Sequence, residues 1–167
     1  LIVLRNRGLK NKGVTMLGKI FGALKKKNNS PTQERLDVLS AQTASNYAQT
    51  AVNMVAQLDG AKLDYSTASL KEVDRILFGF HANGDKSVNL SGTAIVIGCY
   101  VGEVMIRNLE AIWVNSNEVS SPLASSDGNL PLIQTSVGTL SNPIGKVFKA
   151  IDNGSEDSIV WFYENSN

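Results

Sequence analysis

The chain has 167 residues, of which 43% are hydrophobic and 19% are charged, a composition typical of one folded domain rather than of a disordered or fibrous protein. The net charge of +1 is unevenly distributed, because residues 1–27 carry eight basic side chains and no acidic one. Residues 28–167 therefore keep eight of the 16 basic side chains and all 15 acidic ones, a formal charge of −7. The two parts of the chain are expected to behave differently.

The scarcity of reactive side chains limits the sites that this chain can build. Cys99 is the only cysteine and His81 the only histidine, which excludes an intramolecular disulfide and metal sites made of several thiolates or imidazoles. The glycines form neither a phosphate-binding loop nor a dinucleotide motif. The longest apolar stretch, residues 93–102, is about half the length that crosses a bilayer. We predict no cofactor, no metal and a cytoplasmic location.

The basic N-terminal segment, residues 1–29, is predicted to be poorly ordered. Met16 offers an alternative start, which leaves open whether residues 1–15 are native. The functional alternative for the segment is a membrane-surface or nucleic-acid anchor. Its apolar positions form a short stripe interrupted by glycines, which favours a solvated terminus. Those positions are Leu17, Ile20, Phe21 and Leu24. Residues 30–167 are predicted to form a single globular domain.

The first predicted helix of this domain is long and amphipathic. The sequence Ser30-Pro31-Thr32-Gln33 combines a capping serine, a proline at the first helical position and a glutamine that can close a capping box. The helix is expected to continue to about Leu58, before Gly60. Its buried stripe follows a spacing of three and four and comprises Ala44, Ala48, Ala51, Val55 and Leu58.

A second helix is expected from a cap near Ser66 to about Phe80. Its apolar residues recur at helical spacing and predict one buried face. The intervening charged residues are expected to face water, and these are Lys71, Glu72, Asp74 and Arg75. The turn-forming residues 81–85 that follow predict a loop.

The third predicted helix, Val88–Leu109, is apolar on nearly all sides. A helix with this profile in a soluble protein is typically the central one, with other elements packed around it. Gly98 and Gly102 lie four residues apart and therefore on one face. Because glycine destabilises a helix interior, the pair predicts a close approach of another element.

Strands and short helices are predicted in the remainder of the chain. Ile112–Val114 and Leu130–Thr135 have the composition of strands, and residues 116–129 that join them are rich in turn formers. Asn142-Pro143 should start a helix that ends at Asn153. Ser155 is expected to cap a last helix, in which Glu156, Asp157 and Glu164 are the charged side chains and no base occurs. This helix would repel phosphate, so no nucleic-acid partner is predicted.

The most distinctive polar group in the sequence is formed by Tyr100, Glu103 and Arg107. Glu103 and Arg107 are an i, i+4 pair in an otherwise apolar helix, and Tyr100 precedes them by one turn. A carboxylate on a buried helix can act as a general base or bind a cationic group of a ligand. The structural alternative is a salt bridge that lets the helix carry polar groups. We list no catalytic residue, and these three are candidate ligand-binding residues.

Other chemically active side chains are explained more simply as structural. A single histidine in a turn, such as His81, is typically a surface residue, and Cys99 within an apolar helix is typically an inert core residue. The C-terminal aromatic residues are expected to seal the core around the strands. If Trp161 and Phe162 face outward instead, a partner-binding surface becomes the better explanation.

Three segments together resemble a widespread type of small bacterial protein of unknown function. They are Leu63-Asp64-Tyr65-Ser66, Gly98-Cys99-Tyr100-Val101-Gly102-Glu103-Val104 leading to Arg107 and Trp113, and residues 142–163. In that type a Gly-x-Tyr-x-Gly-Glu-Val helix precedes a tryptophan strand. The resemblance covers about residues 60–165, implies a bacterial and cytoplasmic origin, and brings no catalytic residues.

We therefore predict an α+β fold in which a helix-dominated bundle surrounds the central apolar helix and carries a small antiparallel β-hairpin. The predicted function is a non-enzymatic binding or protein-interaction module, with a protein partner or a second copy of the chain as the candidate partner. One alternative is a small-molecule-binding protein or enzyme with a pocket near Tyr100, Glu103 and Arg107. The other alternative is a protein tethered to a membrane surface by its basic segment.

Overall fold

The computed structural model describes residues 38–84, 90–123 and 129–166 of the chain. In chain order, the elements with complete bounds in these ranges are α1 (Ala44–Leu58), a 3-10 turn (Thr67–Ser69), α2 (Leu70–Ala82), α3 (Ser91–Leu109), β1 (Ala111–Val114), a 3-10 turn (Ser116–Glu118), β2 (Leu132–Thr135), β3 (Leu140–Ser141), α4 (Pro143–Asn153), a 3-10 turn (Gly154–Asp157) and α5 (Ile159–Glu164). The fold is α+β and mostly helical, as predicted. No helix among the described residues is long and apolar enough to cross a membrane.

Helix α3 is the central element of the described fold. It packs against α1 and α4, and its C-terminal half also contacts β1 and β2. Its apolar side chains are buried on several faces, including those of Ile97, Val101, Val104 and Met105. The all-round apolar pattern of the sequence correctly indicated this position, because a helix covered on several sides needs no polar face.

The two glycines of α3 each admit a neighbouring element, which confirms the predicted close approach. A Cβ atom at Gly98 would lie 2.5 Å from the Cα of Ile144, in the first turn of α4. A Cβ atom at Gly102 would overlap the ring of Trp113 on β1. The i, i+4 spacing therefore serves two contacts, one to a helix backbone and one to a tryptophan ring.

The sheet has three antiparallel strands in the order β1-β2-β3, so it extends the predicted hairpin by one short strand. Trp113 on β1 pairs with Ile133 on β2, which in turn pairs with Ser141 on β3. The inner face covers α3, where Ala111, Ile133 and Met105 form a buried cluster. The third strand has only two residues, too few to give an alternating pattern in the sequence.

Four local predictions are wrong in the described residues, and one of them is the loop expected from residue 81, because α2 continues to Ala82. Residues 38–43 are not helical, and α1 begins at Ala44 rather than running on from Ser30; Ser30 itself and the whole basic segment 1–29 lie outside the described residues. Asp74 does not face water but is buried. The last helix is capped by Ser158 rather than Ser155, since residues 154–157 form a 3-10 turn.

Other boundaries agree with the sequence. Helix α1 ends at Leu58, where Gly60 adopts a φ of +77° and donates its amide to the Val55 carbonyl. The side chain of Ser66 accepts a hydrogen bond from the Ser69 amide and starts the second helical segment. Asn142 caps α4 in the same way by accepting from the Gly145 amide at 2.7 Å. These signals are local, so the sequence carries them directly.

Candidate functional site

Tyr100 joins α3 to the loop that precedes α2. Its side chain is fully buried, and its hydroxyl oxygen accepts a hydrogen bond from the Tyr65 amide at 2.9 Å. The same hydroxyl lies 2.5 Å from Oγ of Ser69. Because the Ser69 hydroxyl already donates to the Ser66 carbonyl at 2.6 Å, its single proton is used there and Tyr100 is the donor between the two hydroxyls. Burial raises the pKa of Tyr100.

Tyr65 is the residue on which this part of the structure converges. Its φ of +63° is in the left-handed region, where a residue with a Cβ atom is destabilised by about 1–2 kcal/mol. Three contacts hold it there besides the Tyr100 hydrogen bond. Its carbonyl accepts from Asn108 at 3.3 Å, its hydroxyl donates to Gln49 at 3.3 Å, and its ring lies 5.0 Å from the Tyr100 ring. These contacts offset the cost of the left-handed conformation.

The guanidinium of Arg107 lies over the ring of Tyr65. Its Cζ atom is 3.5 Å from the ring centroid, well within the range of a cation–π interaction. Its Nε is 3.8 Å from Oε2 of Glu103, which is within ion-pair range but too long for a hydrogen bond. The side chain is half exposed. Arg107 is thus fixed from below by an aromatic ring and remains open to solvent.

Glu103 is held mainly by a tryptophan. The side chain is buried, and its Oε1 accepts a hydrogen bond from Nε1 of Trp113 at 3.0 Å. Trp113 is also the ring that contacts Gly102, so the absence of a Cβ atom there lets the indole reach the carboxylate. This bond satisfies the indole N–H and one oxygen of a buried charge.

The structure therefore brings together the three candidate residues predicted from the sequence and adds Tyr65 and Trp113 to them. They lie in one continuous network whose members follow the order Tyr100, Tyr65, Arg107, Glu103 and Trp113. We call these five residues the α3 polar cluster. A sequence signal for Trp113 existed in Gly102, which indicated a close approach without identifying the neighbour. No local pattern indicated that Tyr65 lies under Arg107.

The single histidine and the single cysteine both have structural surroundings. Nδ1 of His81 lies 3.2 Å from the Ile151 carbonyl, and its ring lies where a side chain at Gly154 would stand. His81 belongs to α2 rather than to a loop. Cys99 is fully buried, and burial raises the pKa of its thiol to about 12, which keeps it protonated and unreactive at neutral pH.

A second feature of interest is the outward-facing tryptophan of α5. Trp161 is 61% exposed, whereas Phe162 and Tyr163 pack partly against the cluster beneath the sheet. Of the two aromatic residues whose outward orientation would indicate a partner surface, only Trp161 faces out. Nζ of Lys146 lies 5.9 Å from the Trp161 ring and forms an ion pair with Asp157 at 2.6 Å.

The helix that carries Trp161 is anchored by Asp74 of α2. Oδ1 of Asp74 accepts from the Ile159 amide at 2.6 Å, and Oδ2 accepts from the Ser158 hydroxyl at 2.6 Å. The carboxylate thereby satisfies free donors in the first turn of α5, where a negative charge is also stabilised by the helix dipole. This explains why Asp74 is buried although it lies in a charged stretch of the sequence.

Within the described ranges, no group of three or more histidine, cysteine, aspartate or glutamate side chains could hold a metal ion. Comparisons of the chain with protein-family models, with curated proteins and with solved structures find no match. The resemblance to a bacterial type of protein therefore stays a prediction.

Proposed function

We propose that this protein is a non-enzymatic protein-interaction module that binds its partner through the exposed face of α5, with Trp161 at the centre. The observation that carries the proposal is the 61% exposure of Trp161 on a helix that a buried carboxylate fixes in place. An exposed tryptophan on a rigid element is a typical interface hot spot, because it buries a large area with little loss of conformational entropy.

The charges around Trp161 favour a cationic partner segment. Residues 151–166 contain four acidic side chains and no basic one, and Glu164 lies one helical turn after Trp161. A lysine or arginine of the partner could stack on the indole and pair with a neighbouring carboxylate. Lys146 shows the same arrangement within the chain, because its Nζ lies near the Trp161 ring and is paired with Asp157.

The burial of the side chains that could act in catalysis supports a binding role over a catalytic one. The groups with catalytic potential are engaged inside the fold: Tyr100 in two hydrogen bonds, Glu103 with Trp113, and the Cys99 thiol in the core. The proposal keeps a cytoplasmic location, as predicted from a sequence whose single cysteine cannot form an intramolecular disulfide. The alternative membrane tether depends on residues 1–29, outside the described residues.

Site-specific photo-crosslinking from position 161 tests this proposal. A photoreactive phenylalanine analogue replaces Trp161 in one variant and Ile112 in the control, which is 60% exposed on β1. We expect a discrete adduct from position 161 alone. The partner identified from this adduct is then purified without the crosslink. It is titrated against the wild-type chain, the Trp161→Ala variant and the Ile112→Ala variant.

The expected result is a Kd raised about 30-fold or more by Trp161→Ala, equivalent to about 2 kcal/mol, and changed less than threefold by Ile112→Ala. Binding should weaken as salt is added, because the paired charges are exposed. Equal affinity of the two variants would contradict the proposal. An adduct between two copies of this chain would replace the cationic partner by a homodimer.

A further inference from the structure

We propose that the Arg107 guanidinium is a recognition site for an oxyanion, either a carboxylate or a phosphate group of a ligand. An arginine presents five N–H donors in a planar fork whose geometry matches the oxygens of both groups. The Arg107 guanidinium donates no hydrogen bond to any described residue, and its Nε is 3.8 Å from the nearest Glu103 oxygen. Its donors are available on a half-exposed side chain.

Arg75 is an arginine of the same fold whose guanidinium does donate hydrogen bonds to carboxylates. Its side chain is as exposed as that of Arg107, 50% in both. Nε of Arg75 donates to Glu72 at 2.8 Å, and one terminal nitrogen donates to Asp59. At equal exposure, Arg75 donates hydrogen bonds to two carboxylates, whereas Arg107 donates none to a described residue.

The Arg107 fork is also pre-organised. The guanidinium Cζ lies 3.5 Å from the centroid of the Tyr65 ring. Tyr65 is itself held in a left-handed conformation by Tyr100, Asn108 and Gln49. A free arginine loses considerable side-chain entropy when it binds a ligand, and a stacked one has lost much of it already. The left-handed conformation of Tyr65 would then serve the site, because it places the ring on which Arg107 lies.

The net charge of the domain disfavours general attraction of anions. Residues 28–167 carry a formal charge of −7, which opposes non-specific accumulation of anions. Glu103 remains the nearest competitor, but its Oε1 is directed to Trp113 by a 3.0 Å hydrogen bond. We therefore expect weak binding of a simple anion, in the millimolar range, and tighter binding of a larger ligand that carries the same group.

NMR titration of the arginine side chains tests this proposal directly. The Nε–Hε signals of Arg107 and Arg75 are followed while sodium acetate, sodium phosphate or sodium chloride is added at constant ionic strength. We expect a saturating shift of the Arg107 signal with acetate or phosphate, and no saturating shift of Arg75. Saturation by acetate alone assigns a carboxylate site, and saturation by phosphate alone assigns a phosphate site.

Two variants separate recognition from structure. Arg107→Lys keeps the charge but loses the planar fork, so the affinity for the saturating anion, followed on the Tyr65 backbone amide, should fall at least fivefold. Trp161→Ala should leave the anion affinity unchanged, which makes this site independent of the proposed partner surface. Equal shifts with chloride, equal responses of Arg75 and Arg107, or full retention by Arg107→Lys would each overturn the proposal.

Discussion

A single added methyl group should have opposite effects at two helical glycines of this fold. Gly98 faces the Cα of Ile144, which a new Cβ atom would approach to 2.5 Å. Gly79, within α2, has nothing within 4 Å of the same position. The substitution to alanine is chemically identical at both sites, so the difference in stability isolates the effect of packing.

The magnitudes follow from two opposing effects. Alanine in place of glycine stabilises a helix interior by about 1 kcal/mol. Overpacking a core destabilises by about 1–3 kcal/mol, and the upper part of that range applies at Gly98 because the contact is with backbone rather than with a flexible side chain. We therefore expect Gly98→Ala to lower the free energy of unfolding by about 1–2 kcal/mol. Gly79→Ala should raise it by about 0.5–1 kcal/mol.

Urea unfolding followed by circular dichroism measures both values, and thermal melts provide a second readout. At this chain length 1 kcal/mol corresponds to about 2–4 °C in Tm. Gly98→Ala should thus melt several degrees below wild type and Gly79→Ala slightly above it. If Gly98→Ala were as stable as Gly79→Ala, helix α4 would not approach α3 at this point and the packing described above would be wrong.

Three further predictions concern buried polar groups. Asp74→Ala should lower the free energy of unfolding by about 2–3 kcal/mol in urea titrations, since three donors at the start of α5 lose their acceptor; an effect no larger than that of the exposed Glu118→Ala would contradict the anchoring role. Tyr100→Phe should lower the free energy of unfolding by about 1–2 kcal/mol in the same titrations, because the Tyr65 amide is left without its acceptor, and wild-type stability would refute it. For Cys99, burial raises the pKa of the thiol from 9.0 to about 12. Between these pH values the native state retains a proton that the unfolded state has lost. The free energy of unfolding therefore falls by about 1.4 kcal/mol for each pH unit. The difference in stability between wild type and Cys99→Ala should therefore shrink or reverse from pH 8 to pH 10.5 in parallel urea titrations, and a constant difference would refute the burial of the thiol.

The sequence predicted those parts of the fold that depend on local or periodic signals. The central position of α3, the end of α1 at Leu58 and the caps at Ser66 and Asn142 were all encoded in residues a few positions apart. Each of these signals works through the backbone of its own element, so it needs no knowledge of the neighbours. The short strand β3 fell below the length at which alternation can be recognised.

Asp74 shows why other parts could not be predicted. Its neighbours Lys71, Glu72 and Arg75 suggested an exposed face, yet its partners are Ser158 and Ile159, more than 80 residues away. A carboxylate can be buried wherever enough donors converge on it. The burial of a polar residue is thus decided by its distant partners, and its own helix gives no indication of them.

The candidate site was half predictable for the same reason. Tyr100, Glu103 and Arg107 share a helix, so their spacing revealed that they could act together. Their roles depend on Tyr65 and Trp113, which approach from the loop before α2 and from β1. The Glu103–Arg107 pair forms the i, i+4 ion pair that the sequence suggested, but at 3.8 Å it is too long for a hydrogen bond.

This division of partners links the packing of α3 to the proposed anion site. Gly102 lets the Trp113 ring lie against the helix, and from there the indole holds one oxygen of Glu103. In Gly102→Ala the ring has to move, which would release Glu103 to turn towards Arg107 and occupy its fork. We expect this variant to lower the acetate or phosphate affinity of Arg107 although it touches neither Arg107 nor Tyr65. The same NMR titration measures the effect, with Gly79→Ala as the control; unchanged affinity in a variant whose Trp113 indole signal has shifted would show that Glu103 does not compete for the arginine.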